Sequence, residues 1–226
     1  MTITYVGNAS TNLDNTTGGS LSISGIGIQE NDGLIWLAIA DGDGLAAPTG
    51  FSDLINVVSG SSTLSVGYKT ANGSETSVGV DTNSGSGERA WACVAVYRGV
   101  NPSGLIDNYS NNTGGSDDTA VFNAMTPTKD DCVVIAFIGT DDGYAGNPMI
   151  PDVNWLSGFT ERNDNINGPP GTGALSAAGA FADTIQTTAT SVSGSVVMDN
   201  NTTYWSTALV ALAPLKVNKD KMFLVF

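Results

Sequence analysis

Three features of the chain predict an all-β protein, a two-sheet antiparallel β-sandwich. Its apolar segments are short and rich in Val, Ile and aromatic residues. They are punctuated by Gly, Asn, Asp, Ser and Pro, and helical periodicity is nearly absent. Strands are expected over 21–28, 34–40, 51–58, 64–69, 77–80 and 91–97. A second set is expected over 120–125, 132–139, 158–162, 174–182, 192–198 and 204–212. With 226 residues the chain can build one large sandwich or two small tandem ones.

The two sets read as an internal duplication, with quasi-repeats at about 20–105 and 119–214. NDGLIWLAIADGDG from Asn31 matches DDCVVIAFIGTDDG from Asp130. Both then reach a Gly-Phe pair, Gly50-Phe51 and Gly158-Phe159. A small-residue strand with one ring follows, carrying Tyr68 or Phe181. Each half closes on a Trp that opens an apolar strand, Trp91 and Trp205. The spacing of matched positions grows from 99 to 108 to 114 residues, as loops lengthen in the second half.

Four of the expected strands, 34–40, 91–97, 132–139 and 207–212, are apolar on both faces. A sandwich strand with one wet face alternates, so these four must be covered on both sides. No charged or Pro-rich linker separates the halves. A single body over 1–215, with both halves contributing to a shared sandwich, is therefore favoured over two tandem small sandwiches. The polar stretches 108–118 and 163–173 read as turn-rich loops at the sandwich ends.

Charge narrows the partners. Acidic residues number 22 and basic residues 8, for a net charge of −14. Such a field repels phosphate backbones and anionic membrane surfaces, so neither nucleic acid nor membrane is an expected partner. MTITYVGNAS lacks the basic and apolar regions of a signal peptide, and the longest apolar run is too short to span a bilayer. Synthesis in a cytoplasm is expected. Cys93 and Cys132 each sit in an apolar run and read as buried free thiols.

Little conventional chemistry is on offer. The chain has no histidine, which removes Ser-His-Asp and Cys-His machinery and most zinc sites. Glutamate is limited to Glu30, Glu75, Glu88 and Glu161, and no acidic residue is read as lying within an apolar strand where burial would raise its pKa. No catalytic residue, metal ligand or cofactor is assigned, and an enzyme is not expected. Asp41 and Asp43 in DGDG, and Asp141 and Asp142 in TDDG, offer carboxylates to Ca²⁺. They lack the EF-hand spacing and read as turns after long strands. Trp36, Trp91 and Trp205 read as core. Trp155, in PDVNWLSG, is the candidate for an exposed ring that stacks on a ligand.

The last eleven residues differ from the rest. Residues 1–215 hold five basic and 21 acidic residues, whereas KVNKDKMFLVF holds three basic and one acidic. Lys216, Lys219, Lys221, Met222, Phe223, Leu224, Val225 and Phe226 read as a basic and apolar assembly arm over 216–226. The three lysines suit an acidic neighbour, including another copy of the body. One further strand of the protein's own sheet is the alternative reading for the apolar end.

The first half carries a recognisable series of elements: an apolar strand opened by Asn31-Asp32, the turn Pro48-Thr49-Gly50-Phe51, GYKTANGSE over 67–75, and AVYRGVNP over 95–102. This series resembles the jelly-roll or concanavalin-like structural modules of tailed bacteriophages, found in capsid-decoration, head-fibre and tail-appendage proteins. Gly50-Phe51 stands where that pattern more usually has Gly-Trp. The resemblance covers about 20–105 directly and the second half through the duplication. It implies a jelly-roll-like fold and a non-enzymatic virion structural role, foremost a capsid decoration or cement protein. It also implies partners among copies of the chain and a major virion protein of capsid or tail. The alternative is a fibre adhesin module that binds host glycan. The motifs are scaffold motifs and carry over no catalytic or ligand-binding residue.

Overall fold

The computed structural model describes residues 2–14, 19–42, 44–60, 62–80, 89–115, 119–141, 154–167, 177–198 and 204–216. Their regular structure is all β. The first half supplies β1 (Thr4–Asp14), β2 (Gly19–Ser22), β3 (Glu30–Asp41), β4 (Ser52–Ser59), β5 (Ser62–Asn72), β6 (Ser77–Val80) and β7 (Arg89–Arg98). The second supplies β8 (Ile106–Gly115), β9 (Thr119–Met125), β10 (Cys132–Asp141), β11 (Thr160–Asn167), β12 (Ala177–Gln186), β13 (Val192–Val197) and β14 (Tyr204–Leu212).

The halves share one topology. The first builds a five-stranded sheet β1-β7-β3-β5-β4 and a pair β2-β6. The second builds β8-β14-β10-β12-β11 and a pair β9-β13. Each strand of the second half thus takes the place of the strand seven earlier in the first. Two irregularities recur at matching places. β1 slips against β7 between Tyr5 and Gly7, and β8 slips against β14 between Ile106 and Asn108. β4 slips against β5 between Asp53 and Ile55, and β11 slips against β12 between Glu161 and Asn163. Both halves enter their central strand through a left-handed residue, Asn31 (φ 69°) and Asp131 (φ 60°), the residue types that tolerate it.

Matching bulges set the residue correspondence: Leu37 with Phe137, Val66 with Phe181, and Cys93 with Ala208. The motif match from Asn31 to Asp130 is therefore one residue out, because Asn31 corresponds to Asp131. The Trp pair is also one residue out. Trp91 corresponds to Ser206, so Trp91 lies in the core between the sheets while Trp205 lies on the far face of its own sheet. A shift of one residue moves a strand's side chains to the opposite face.

The two five-stranded sheets pack face to face. β3 lies on β10 in the middle, β7 on β12, β5 on β14, β1 on β11 and β4 on β8. Since β11 corresponds to β4 and β8 to β1, this is the arrangement of an isologous dimer within one chain. Ile35, Leu37 and Ile39 of β3 meet Val133, Ile135 and Phe137 of β10 in the shared core. The opposite face of β3, with Leu34, Trp36 and Ala38, is covered by Leu21 of β2 and by Val78 and Val80 of β6. The outer face of β10 is covered in the same way by Ala120 and Phe122 of β9 and Val196 of β13. The doubly apolar strands are thus buried on both sides. Each fully buried Val, Leu, Ile or Phe contributes about 1.5–3 kcal/mol.

Two strands were not expected from the sequence. β1 and β8 are edge strands with polar compositions, and the stretch read as a loop from 108 is strand as far as Gly115. In β8 the polar side chains take the place of a neighbouring backbone. Asn108 and Asn112 donate amide hydrogens, and Ser110 its hydroxyl, to the carbonyls of Thr126, Val121 and Asn123 at 2.8–3.1 Å. Asn123 returns a bond to the Asn111 carbonyl at 2.7 Å. The stretch from 163 read as a loop is likewise strand β11 to Asn167, and its remainder lies outside the described residues. Conversely, the strand expected over 21–28 ends at Ser22, before Gly25 and Gly27 with φ of 93° and 79°.

Candidate functional site

Among the described residues, the most elaborate polar constellation lies at one margin of the inter-sheet core, where β1 and β7 of the first half meet β11 and β12 of the second. Asp183 of β12 is only 5% exposed. It accepts the Tyr97 hydroxyl at 2.9 Å and a two-pronged contact from Arg162, Nε at 3.0 Å and Nη2 at 2.8 Å. Arg162 is the extra residue of the β11 bulge, which turns its side chain into the seam. Its guanidinium lies over the Tyr5 ring, 4.5 Å from the centroid, and Tyr5 meets Tyr97 edge-on at 5.6 Å. Asn8 completes the network. Its amide donates to the Tyr5 hydroxyl and to the Arg162 carbonyl (3.2 Å), and its oxygen accepts from Asn163 (3.0 Å) and the Cys93 thiol (3.9 Å).

Burial, followed by the charge of Asp183, pushes the Tyr97 hydroxyl well above its ordinary pKa. Burial alone does the same to the Cys93 thiol, and burial raises Tyr5 despite the Asn8 hydrogen bond. The hydrogen bond to Asp183 raises Arg162 further. At neutral pH the tyrosines and the thiol are therefore held protonated and the guanidinium charged. The arrangement works as a hydrogen-bonded key between the halves: Tyr97 as donor, Arg162 as fixed cation, Asp183 as acceptor of both.

A second carboxylate–guanidinium pair sits at the rim of the first half. Asp32, 1% exposed, accepts Arg98 Nε at 2.9 Å and Nη2 at 2.7 Å, and the Gln29 backbone N–H at 2.8 Å. Arg98 also donates to the Gly27 carbonyl at 2.9 Å. An open cleft of about 360 Å³ adjoins this pair, lined in part by Gln29, Glu30, Pro102 and Leu215. In the second half Asp107 accepts from Thr128 N (2.5 Å), Thr128 Oγ1 (2.6 Å) and the Lys129 ammonium. Burial alone would raise the Asp107 carboxyl, but these bonds outweigh it and leave its pKa low. Burial and the Asp107 charge push the Cys132 thiol up to about 11.

Asp32 and Asp183 are both buried in strands, and each is held by an arginine of another strand. The expected site residues are scattered. Trp155 is half-buried against the outer core of the second half, beside Leu156 and Phe159. Its indole N–H donates to the exposed Glu161 carboxylate at 2.7 Å. Asp41 is buried at the end of β3, and Asp141 ends β10, while Asp43 and Asp142 lie outside the described residues. Cys93 and Cys132 are buried free thiols.

Lys216 is exposed, just after a strap that ties the chain back to the first half. Leu215 N donates to the Gly99 carbonyl at 2.9 Å and Asn101 N to the Ala213 carbonyl at 2.8 Å. Lys219, Lys221, Met222, Phe223, Leu224, Val225 and Phe226 lie outside the described residues. Sequence reasoning missed the Arg162–Asp183–Tyr97 network. The one available signal was an arginine within a mostly polar stretch, in a chain with only eight basic residues.

Fold and seam together define a two-sheet β-sandwich of two similar halves, joined by a shared core and locked at one margin by a charged network. Comparison with protein-family models, with curated proteins and with solved structures found no match.

Proposed function

We propose that this chain is a non-enzymatic virion structural protein of a tailed bacteriophage, a decoration or cement protein of the capsid. Its partners in this reading are other copies of itself and the major virion protein. One observation carries the reading: the motif residues of the first half spend their functional groups on one another. Asp32 of the strand-opening motif holds Arg98 of the YRGV turn at 2.7 Å. Pro48 and Phe51 close their turn through a backbone bond of 2.9 Å. Within GYKTANGSE, Lys69 pairs with Glu75 at 2.9 Å, and Glu75 also accepts the N–H groups of Asn72 and Gly73. Thr70 donates to the Pro102 carbonyl at 3.1 Å. Such interlocking supports a scaffold role, since side chains engaged in holding turns are not free to act on a substrate.

In the same reading the basic and apolar stretch from Lys216 onward is the docking arm, leaving the body beside the strap at Gly99. A second reading, a glycan-binding adhesin module, is favoured by the half-buried Trp155 indole bonded to an exposed Glu161 carboxylate. An aromatic face beside an acid is a common way to hold a sugar ring.

Adding the purified chain to particles of its phage from which accessory proteins have been stripped tests the proposal. Saturable binding at a fixed ratio to the capsid protein is expected, and removal of Lys216–Phe226 is expected to abolish it while leaving the melting curve of the body unchanged. Absence of particle binding, together with polysaccharide binding that Trp155→Ala abolishes, would select the adhesin instead.

A further inference from the structure

The quasi-twofold packing places bulky inner-face residues opposite small ones, and the pattern is reversed between the halves. On the central pair, Ile39 of β3 faces Gly139 of β10, where an added Cβ would stand 2.8 Å from the Ile39 Cβ. These two positions are each other's counterparts in the register that equates Leu37 with Phe137. To one side, Trp91 of β7 lies against Gly179 of β12, where a Cβ would overlap the six-membered ring of the indole. The counterpart of Trp91 is Ser206, and the counterpart of Gly179 is Leu64. All of these positions are buried. The margins repeat the theme: the first half brings Tyr5, Asn8 and Tyr97 to the charged seam, and the second brings Arg162 and Asp183.

Pairing either half with a second copy of itself would lose this match. Two first halves would set Ile39 against Ile39, and each Trp91 against a Leu64, which overpacks the centre. Each Tyr97 hydroxyl would also be buried against Leu54 and Tyr68 with no carboxylate to receive it. Two second halves would set Gly139 against Gly139, and each Ser206 against a Gly179, leaving voids. Their Arg162–Asp183 pairs would face Ile106 and Leu212 in place of Tyr5 and Tyr97.

We infer that the inner faces of the two halves form a docking surface with a single fitting partner: the complementary half, whether of the same chain or of a second copy. Self-pairing is closed to both. Two copies can therefore be linked by reciprocal exchange of halves about the turn at Asn101–Gly104, which is held by Gly104 N to the Asn101 carbonyl at 3.2 Å. Every contact across the inter-sheet core is kept in such an exchange.

The first test uses the full chain. Gly139→Ile reproduces the central clash of two first halves, and Ile39→Gly reproduces the void of two second halves. The variant carrying both restores one isoleucine facing one glycine. Each single variant is expected to lower the denaturation midpoint, and the combined variant to recover most of the loss. A combined variant as destabilised as the two singles added together overturns the matched pair. If Gly139→Ile does not fold, Gly139→Ala with Ile39→Ala makes the same comparison with smaller changes.

The second test places a protease site at 102–104 and cuts the folded protein. Nicked protein, half of it isotopically heavy, is unfolded in denaturant, mixed and refolded, then weighed by native mass spectrometry. Pairs of one first half with one second half, in all light and heavy combinations, are expected. Pairs of like halves, or no reassembly, overturn the proposal.

Discussion

The two margins of the inter-sheet core are built on the same backbone and filled with opposite chemistry. Where β1, β7, β11 and β12 meet, the positions hold Tyr5, Asn8, Tyr97, Arg162 and Asp183. At the corresponding positions of β8, β14, β4 and β5, the other margin holds Ile106, Tyr109, Leu212, Leu54 and Tyr68. Even the bulge is reused: it presents Arg162 at one margin and Leu54 at the other. The backbone therefore does not dictate the chemistry of a seam. An apolar margin gains from area removed from water and tolerates many partners. A charged margin gains only when each group meets its own partner, because an unmatched buried charge is costly. One margin thus supplies adhesion, and the other selects which half is bound and in what register.

The largest effect on this contrast is expected from Asp183→Ala. It leaves the Arg162 guanidinium and the Tyr97 hydroxyl at the seam without their acceptor, and breaking a buried pair in this way costs about 3–5 kcal/mol. Urea denaturation would read it. A loss below about 1 kcal/mol would show that water reaches Arg162 freely enough to replace the carboxylate.

Tyr97→Phe is the next step down. It removes one hydrogen bond to a charged acceptor, and a loss of about 1.5–3 kcal/mol is expected. Its pH dependence has a definite sign. The folded pKa of Tyr97 lies above the unfolded value, so its contribution is complete below about pH 10 and is lost as pH rises toward the folded value. Stability measured between pH 9 and 11 should fall with rising pH in the wild type, and less steeply in Tyr97→Phe. Equal slopes would exclude Tyr97 as a source of the alkaline loss.

The smallest effect is expected when the charged margin is rewritten as the apolar one. Tyr97→Leu, Arg162→Leu and Asp183→Tyr together install the residues found at the opposite seam. Replacing a matched buried ion pair by packed apolar groups is often neutral or stabilising, by about 1–4 kcal/mol. The triple variant should therefore melt near or above the wild type although Asp183→Ala alone melts far below it. A triple variant as unstable as the single one would mean that the two seams are not interchangeable in shape.

Much of the scaffold was legible beforehand. Ile35 and Trp36 lie side by side in a run that is apolar at every position, and only cover on both faces can bury both; β10 makes the same demand through Val134 and Ile135. The Gly-Phe pairs were legible because a left-handed glycine closes each turn, with φ of 89° at Gly50 and 84° at Gly158. β1 and β8 were hidden because their Asn, Ser and Thr side chains mimic a loop composition. They form strands because an apolar neighbour, β7 or β14, offers a free edge, and β8 is further tied by side-chain bonds to and from the 119–126 stretch. The charged seam was hidden for a different reason: Asn8 and Arg162 are 154 residues apart, and no local pattern joins them.

By itself the sequence determined that this chain is all β, that its halves are alike and that its central strands are covered on both faces. Those properties follow from local composition and from the free energy of burying apolar side chains. Tertiary structure alone decided the residue correspondence between halves, the opposite faces of Trp91 and Trp205, and the meeting of Tyr97, Arg162 and Asp183. Side chains alternate along a strand with a period of two, so a single bulge or a one-residue slip exchanges core for surface. Only pairing with the neighbouring strand sets that slip.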